Sequence, residues 1–381
     1  MAQSSKKRQS ITSPEDQSAT FIELFFDLIF VFSVTQVVGL LHGGFTWSTV
    51  GQAVLVFWLI WWAWTQFTWA LNAADTTHTW VEVGTLAATA VAFFMAITLP
   101  EAFHSHALWF AFAYVLVRSI GLILYMWVSW IDPSQRSAVS RFGLVSLAGL
   151  AAVLVGGFLG GAAQYGLWGL AIVLDVVAAS TGGQQDGWNL HPEHFSERHG
   201  LFTIIALGET LIVAGAGVVD QTWSGDLISV AVLAVLITCG LWWTYFPKAK
   251  PALEHAMASL GGAAQSSLAR DVFSLLHFPM LCGVIIYAFA LEEAVAHPGD
   301  PLPFVGRLAL ALGFSLFVGG MAAAIWRATG KLLVARVILA LAAALTVMLV
   351  ANVSPLISLL IVFIAVVLIA FLEERTSSPA V

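Results

Sequence analysis

The chain has 381 residues, of which 59% are hydrophobic and only 10% are charged. Because soluble domains carry about 25% charged residues, this composition excludes an ordinary water-soluble protein and predicts an all-α, polytopic membrane protein. The formal net charge is −7. The positions of the basic residues along the chain are more informative than this total, because they indicate the orientation of a membrane protein.

Twelve apolar runs follow one another along the chain. A bilayer core of about 30 Å is crossed by a helix of about 20 residues, and each run is close to this length. The predicted spans cover residues 21–41, 49–71, 80–99, 107–130, 138–158, 164–181, 199–219, 227–246, 271–291, 303–327, 332–351 and 355–372.

The basic residues indicate the orientation of these spans. Lysine and arginine accumulate on the cytoplasmic side of membrane proteins. If the N-terminus is cytoplasmic, every Lys and Arg except Arg118 and Arg307 falls in or beside a cytoplasmic segment. These residues are Lys6, Lys7, Arg8, Arg136, Arg141, Arg198, Lys248, Lys250, Arg270, Arg327, Lys331, Arg336 and Arg375. The sequence therefore predicts twelve spans with both termini in the cytoplasm.

The two halves of the chain show weak similarity to each other. Glu23 aligns with Glu197, and the Trp61-Trp62 pair aligns with Trp242-Trp243. Six spans in each half would form parallel repeats, related by an axis along the membrane normal. The predicted organisation is a cytoplasmic tail (1–20), a six-helix repeat (21–181), a cytoplasmic connecting loop (182–198), a second six-helix repeat (199–372) and a cytoplasmic tail (373–381).

Several ionisable side chains lie inside predicted spans, where a charge costs roughly 2.5–3.5 kcal/mol even on the insertion scale, and six of them are candidates for a functional site. The six candidates are Glu23, Asp27, Arg118, Asp175, Glu209 and His277. Glu23 and Asp27 lie one helical turn apart. We expect Arg118 to be the counter-ion of one or two acids, and the remaining acids to carry protons or coordinate a cation. The alternative is structural: Asp27 pairs with Arg118, and Glu23 extends to the interface.

A second group of polar residues, HPEHFSER, occupies positions 191–198. Two histidines three residues apart and a carboxylate, here His191, His194 and Glu197, could ligate zinc or iron. Pro192 disrupts regular helix geometry, however, and no cysteine joins the group. The favoured interpretation is a solvated cytoplasmic loop that leads into a helix, with Glu197 near the positive helix N-terminus. The sequence does not identify a metal or a cofactor.

Two motifs resemble the signatures of the bacterial low temperature requirement protein A (LtrA) family. They are ELFFDLIFVF at 23–32 and ERHGLFTIIALGET at 197–210. The Trp-rich second span that runs into Asn72 and Asp75, and the LHFP stretch at 276–279, also match, so the resemblance extends over almost the whole chain. It implies a multi-pass protein of the bacterial cell (inner) membrane and names no chemistry. It emphasises Glu23, Asp27, Glu197, Arg198, Glu209 and His277.

Duplicated halves, intramembrane acids and the lack of a large soluble domain favour a secondary transporter or channel for an ion or small solute. In this interpretation Asp27 and Glu209 bind the proton or cation, Arg118 is their partner or an anion contact, and Glu23 is an entrance residue. Two alternatives stay open: a less favoured intramembrane metal or cofactor enzyme, and a cold or membrane-fluidity sensor or assembly factor. The expected partners are the lipid bilayer and a small ion or solute. No nucleic acid is expected, and the sequence leaves a homo-oligomer open.

Overall fold

The computed structural model describes residues 11–14, 17–42, 44–183, 188–219 and 221–377. The predicted tail positions 1–10, with Lys6, Lys7 and Arg8, the loop positions 184–187 and the positions 378–381 lie outside the described residues. The α-helices of the described part are α1 (Phe21–His42), α2 (Trp47–Ala73), α3 (Thr79–Thr98), α4 (Ala107–Ile131), α5 (Arg136–Leu159), α6 (Gly161–Gly183), α7 (Pro192–Val219), α8 (Gly225–Thr244), α9 (Lys250–Ala258), α10 (Gly262–Ala269), α11 (His277–Ala296), α12 (Phe304–Thr329), α13 (Val334–Leu349) and α14 (Pro355–Ser377).

The helices have the length and surface of membrane-spanning segments. Within the described residues, eleven helical segments are long and apolar enough to cross a membrane. Large apolar side chains lie on their outer surfaces, and Leu144, Phe158 and Leu349 are each more than 70% exposed. A soluble protein rarely exposes such extensive apolar surface. The described residues contain no β-strand. The prediction of an all-α, multi-pass membrane protein is therefore confirmed.

The predicted eleventh span, 332–351, is shorter in the structure. The corresponding helix α13 has 16 residues, and its rise of about 24 Å is less than the roughly 30 Å hydrocarbon core. The helix ends at Leu349, and Asn352 follows with a φ of 62°, a left-handed conformation that breaks helical geometry. The count of twelve spans holds only if α13 is included.

Two segments predicted as loops are helical. Residues 192–198 form the first two turns of α7, because proline is well tolerated at the first position of a helix, where its missing N–H needs no partner. Residues 248–270, predicted as a long loop, contain α9 and α10. In the first segment Pro192 was wrongly interpreted as a helix breaker, and in the second the absence of a long apolar run was wrongly interpreted as the absence of a helix.

The described chain forms two compact units, whose boundaries fall within α1, α2, α7 and α10 and between α9 and α10. The first unit comprises Met1–Phe30, Trp62–Arg198 and Gly261–Ser267, and the second comprises Val31–Trp61, His199–Leu260 and Leu268–Val381. These boundaries differ from those of the predicted repeats, and the duplication stays a prediction.

In the first unit, helices α3 to α6 pack in succession, each against the next. The tight connection between α5 and α6 uses Gly160 and Gly161, with φ of 65° and 56°, because glycine adopts these angles without a steric penalty. At Gly157 a Cβ atom would lie 2.6 Å from the Ala111 Cβ. This glycine therefore allows α5 to approach α4 closely, as small residues do in membrane proteins.

In the second unit, α11 and α12 cross with their backbones in close contact. A Cβ atom at Gly283 would lie 2.5 Å from the Phe317 nitrogen, and one at Gly313 would lie 2.6 Å from the Tyr287 nitrogen. Two π-helical segments, Tyr245–Ala249 and Arg270–Leu276, interrupt the helices of this unit. Such segments widen the helix locally and occur frequently at functional sites.

Candidate functional site

The first turns of α1 carry two fully buried carboxylates, Glu23 and Asp27. Thr20 precedes the helix, and its backbone N–H and hydroxyl donate to Glu23 Oε2 at 2.9 and 3.0 Å. This is the arrangement of a capping box, in which the third helical residue bonds back to the start of the helix. Asp27 lies one turn further along the same face. The local sequence Thr-x-x-Glu thus begins the helix and orients its first acid.

The first turns of α7 carry two fully buried basic groups, His194 and Arg198, also one turn apart. The Arg198 guanidinium donates from Nε and Nη2 to the two oxygens of Asp27, at 3.1 and 2.6 Å. It also donates from Nη1 to Glu23 Oε1 at 2.5 Å. His194 Nε2 lies 3.0 Å from the same Glu23 oxygen. We call Glu23, Asp27, His194 and Arg198 the acid–base cluster.

Trp64 of α2 completes the surroundings of Asp27 and Arg198. Its indole Nε1 donates to Asp27 Oδ1 at 2.6 Å, and the Arg198 guanidinium carbon lies 5.8 Å from the centre of the indole ring. A cation over an aromatic face is attracted by the ring quadrupole. The buried guanidinium is therefore stabilised by two carboxylates and by an aromatic surface.

The hydrogen bonds of His194 determine which ring nitrogen carries the proton. The backbone N–H of His191 donates to Asn72 Oδ1 at 2.8 Å, which orients the Asn72 amide so that Nδ2 faces His194 Nδ1 at 2.9 Å. Since Nδ2 is a donor, Nδ1 must accept. The proton therefore lies on Nε2, which donates to Glu23, and His194 is neutral in this arrangement.

The acid–base cluster carries one uncompensated negative charge. Each of the four oxygens of Glu23 and Asp27 accepts a hydrogen bond from at least one donor, an arrangement that favours the ionised form of both carboxylates. Arg198 compensates one of the two charges, and neutral His194 compensates none. A buried, uncompensated charge is costly in a medium of low dielectric constant. The cluster is therefore built to take up one positive charge.

Arg118 forms a separate cluster within the same unit, with Asp175, Tyr114 and Gln66. Its Nη1 donates to Tyr114 Oη at 2.6 Å and to Asp175 Oδ1 at 3.2 Å, and its Nε donates to Gln66 Oε1. Arg118 and Asp175 are almost fully buried. The structural alternative, in which Asp27 pairs with Arg118, is wrong, because Arg198 holds both oxygens of Asp27. Arg118 pairs instead with one acid, and this cluster is electrically neutral.

Glu209 and His277 belong to the second unit. Glu209 is partly exposed in the middle of α7, and Thr35 Oγ1 donates to its Oε1 at 2.6 Å. His277 is buried and follows a π-helical segment. Its Nδ1 lies 2.9 Å from the Val272 carbonyl oxygen, and its Nε2 lies 2.8 Å from Tyr245 Oη. Because a carbonyl only accepts, Nδ1 donates and Nε2 accepts from Tyr245.

The comparisons with known proteins agree with the two motifs that contribute to the acid–base cluster. A family model described as "Bacterial low temperature requirement A protein (LtrA)" matches residues 18–371. The chain belongs to the LtrA family. It is also 28% identical over 319 residues to the uncharacterized protein RA0937 of Rhizobium meliloti (strain 1021), a match that covers 80% of this chain and 76% of that protein. No solved structure matches this chain.

The HPEHFSER segment of this LtrA protein does not form the solvated loop that the sequence predicted. His194 is fully buried, as is Arg198. His191 Nε2 lies 2.7 Å from Ser13 Oγ, and Glu197 Oε2 accepts from the Ala19 backbone N–H at 3.0 Å. The side chains of His191, His194 and Glu197 thus contact Ser13, Glu23 and Ala19, respectively. The described part of the chain contains no group of three or more His, Cys, Asp or Glu side chains placed to hold a metal ion.

Sequence reasoning missed the pairing of α1 with α7, although a signal was present. Glu23 and Asp27 are four residues apart, and so are His194 and Arg198. Two acids on one helical face match two bases on another, with the spacing of one turn. The supporting residues Trp64 and Asn72 gave a weaker signal, because indoles and amides occur in many packing roles.

Proposed function

We propose that this LtrA protein is a secondary transporter or channel for an ion or small solute, and that the acid–base cluster couples its activity to protons. The observation that carries the proposal is the charge of the cluster: two buried carboxylates face one arginine and one neutral histidine. Ionisable groups inside membrane proteins commonly mark ion pathways and proton relays. A proton that binds His194 would bring the cluster to zero net charge.

Proton uptake by His194 would change the contacts of its neighbours. The unprotonated nitrogen of the His194 imidazole is Nδ1, which accepts a hydrogen bond from Asn72 Nδ2. A protonated Nδ1 is a donor, and two donors cannot share a hydrogen bond. The Asn72 amide would have to move. This amide also holds the His191 backbone, because its Oδ1 accepts from the His191 N–H at 2.8 Å and its Nδ2 donates to the His191 carbonyl at 3.2 Å. Protonation would thus loosen the contact of α2 with the start of α7.

Glu209 is the proposed second ion-binding position, because it is a partly exposed carboxylate in the middle of a span. Arg118 and Asp175 receive a positioning role in this proposal, since they already compensate each other. His277 is proposed to stabilise the two π-helical segments, because it bonds to Tyr245 of one and to Val272 of the other. The proposed location is the bacterial cell (inner) membrane with both termini cytoplasmic, as the distribution of basic residues favours.

The proposal is tested with purified protein in liposomes that contain a pH-sensitive dye. We expect an imposed proton or sodium gradient, with a panel of small ions and solutes outside, to drive a flux above that of protein-free liposomes. His194→Gln keeps a donor to Glu23 but cannot take up a proton, and Asp27→Asn removes the uncompensated charge. Both should abolish proton coupling, and Glu209→Gln should reduce flux.

The matched controls are an exposed histidine and an exposed acid, His104→Gln and Asp300→Asn, which should leave flux unchanged. Wild-type flux in folded His194→Gln and Asp27→Asn variants would refute the role of the cluster. The absence of flux under every gradient and solute would refute the transport function, and would favour the sensor or assembly-factor alternative.

A further inference from the structure

The segment before α1 crosses the end of α2 within the first unit. Its described residues, which we call the N-terminal strap, are 11–14 and 17–20. The Ser13 backbone N–H donates to the Ala73 carbonyl at 3.1 Å, and Gln17 Nε2 donates to the Leu71 carbonyl at 2.9 Å. The strap is therefore attached to the end of α2 through both its backbone and a side chain.

The Nδ1 atom of His194 faces two side-chain amides, one from α2 and one from the strap. Asn72 Nδ2 lies 2.9 Å from this atom, and Gln17 Nε2 lies 3.4 Å from it. The bond to the Leu71 carbonyl fixes the orientation of the Gln17 amide, because a carbonyl oxygen only accepts. Gln17 is 9% exposed, whereas Asn72 and His194 are fully buried. Gln17 is thus the member of this group that reaches the surface.

The Gln17 amide carries an acceptor that the present arrangement does not use. Its Oε1 is buried and receives no hydrogen bond from the described residues. Most buried polar atoms have a hydrogen-bond partner, so an exception calls for an explanation. A half-turn about the Cγ–Cδ bond exchanges the positions of Oε1 and Nε2. It would direct Oε1 towards His194 Nδ1 and would give up the bond to the Leu71 carbonyl.

The Asn72 amide is held more firmly than the Gln17 amide. Its Oδ1 accepts from the His191 N–H at 2.8 Å, and its Nδ2 donates to the His191 carbonyl at 3.2 Å. A half-turn of Asn72 would break two bonds to the backbone, whereas a half-turn of Gln17 breaks one. When His194 Nδ1 carries a proton, the less costly acceptor is therefore Gln17 Oε1, and Asn72 Nδ2 has only to withdraw.

We propose that Gln17 is a positioning residue for proton coupling: its Oε1 turns to accept the Nδ1–H of protonated His194, and the strap gives up its bond to Leu71. This inference rests on the proposed proton uptake by His194. The proton comes from water and adds to Nδ1, and no other covalent bond changes. The charged groups that face His194 are Glu23 and, through the same Glu23 oxygen, Arg198. The strap adds a neutral acceptor on the Nδ1 side of the ring.

The test follows the imidazolium infrared signal of the purified full chain during acidification and records the pH at which this signal is half complete. Gln17→Met has a similar length but neither a donor nor an acceptor. Loss of the acceptor should lower the midpoint pH by about one unit, a tenfold loss of proton affinity. A Gln17 that acted only as the donor seen here would give the opposite shift, because losing a donor to neutral Nδ1 favours protonation.

Two further variants separate the acceptor from the attachment of the strap. Gln17→Glu keeps an oxygen acceptor and should hold or raise the midpoint pH. Ser13→Ala removes a strap contact with His191, not with His194, and should leave the midpoint unchanged. An unchanged or raised midpoint in Gln17→Met, or an equal shift in Ser13→Ala, would overturn the proposal. A lowered midpoint in Gln17→Glu would also overturn it, even if Gln17→Met fails to fold.

The same titration distinguishes this inference from the proposed function. A wild-type protein without an imidazolium signal would refute proton uptake by His194, and the role of Gln17 with it. A titration that depends on Gln17 in a protein without flux in liposomes would support this inference and refute transport alone.

Discussion

Two buried arginines of the first unit, Arg198 and Arg118, have opposite charge surroundings. Arg198 faces two carboxylates and uses Nε, Nη1 and Nη2 to bind them. Arg118 faces one carboxylate at 3.2 Å, and its other acceptors are the neutral Tyr114 and Gln66 side chains. The first cluster lacks one positive charge, and the second is balanced. Both clusters are buried, so burial alone does not distinguish them. The net charge of a cluster does, and it makes the acid–base cluster the candidate for ion coupling.

The largest expected effect comes from removing each arginine. Arg198→Met leaves two buried carboxylates without a cation, and Arg118→Met leaves one. Breaking a buried ion pair typically costs about 3–5 kcal/mol, and we expect the Arg198 variant at the upper end and the Arg118 variant at the lower end. Reversible unfolding in detergent measures both values. Adding Glu23→Gln and Asp27→Asn to Arg198→Met should restore most of the loss, whereas equal losses for the two arginine variants would contradict the comparison.

The acids of the two clusters should separate stability from function. Asp175→Asn removes the carboxylate of a balanced pair and leaves Arg118 uncompensated, and we expect it to lower the free energy of unfolding by about 3–5 kcal/mol while proton coupling persists. Asp27→Asn should abolish proton coupling instead. Unfolding and liposome flux, measured on the same preparations, test this difference. Loss of proton coupling in a folded Asp175→Asn protein would show that the balanced cluster also takes part in transport.

Glu209 tests whether a partly exposed acid of the second unit acts without supporting the fold. In Glu209→Gln the amide oxygen can still accept from Thr35, so we expect a stability change of about 1 kcal/mol or less. Flux in liposomes should nevertheless fall. A large loss of stability, measured by thermal unfolding, would mean that Glu209 holds helices together.

The smallest expected effect concerns the start of α1. Thr20→Ala removes the hydroxyl that donates to Glu23, while the backbone N–H bond is retained. Loss of an N-terminal cap typically costs about 0.5–2 kcal/mol, and we expect the lower end of this range. Thermal unfolding of Thr20→Ala and Thr20→Ser provides the comparison, and the serine variant should match the wild type. A loss as large as that of Arg198→Met would assign the orientation of Glu23 mainly to Thr20.

The sequence predicted the class of fold because long apolar runs determine membrane helices almost independently of tertiary context. It also identified Glu23, Asp27, Arg118, Asp175, Glu209 and His277 as costly residues within spans. It left open which acid pairs with Arg118, since charge and depth do not specify which helices meet. The helices α9 and α10 and the buried start of α7 were missed because their polar composition resembles that of a loop, and only tertiary contacts reveal their burial.

The charge state of the acid–base cluster is measured most directly by infrared difference spectroscopy of the purified protein during acidification, with Glu23→Gln, Asp27→Asn and His194→Gln as references. We predict that wild-type Glu23 and Asp27 are ionised near neutral pH, and that the first added proton produces an imidazolium signal that His194→Gln lacks. A protonated-carboxyl band near neutral pH that disappears in Asp27→Asn or Glu23→Gln would contradict the account, because the cluster would then already be neutral.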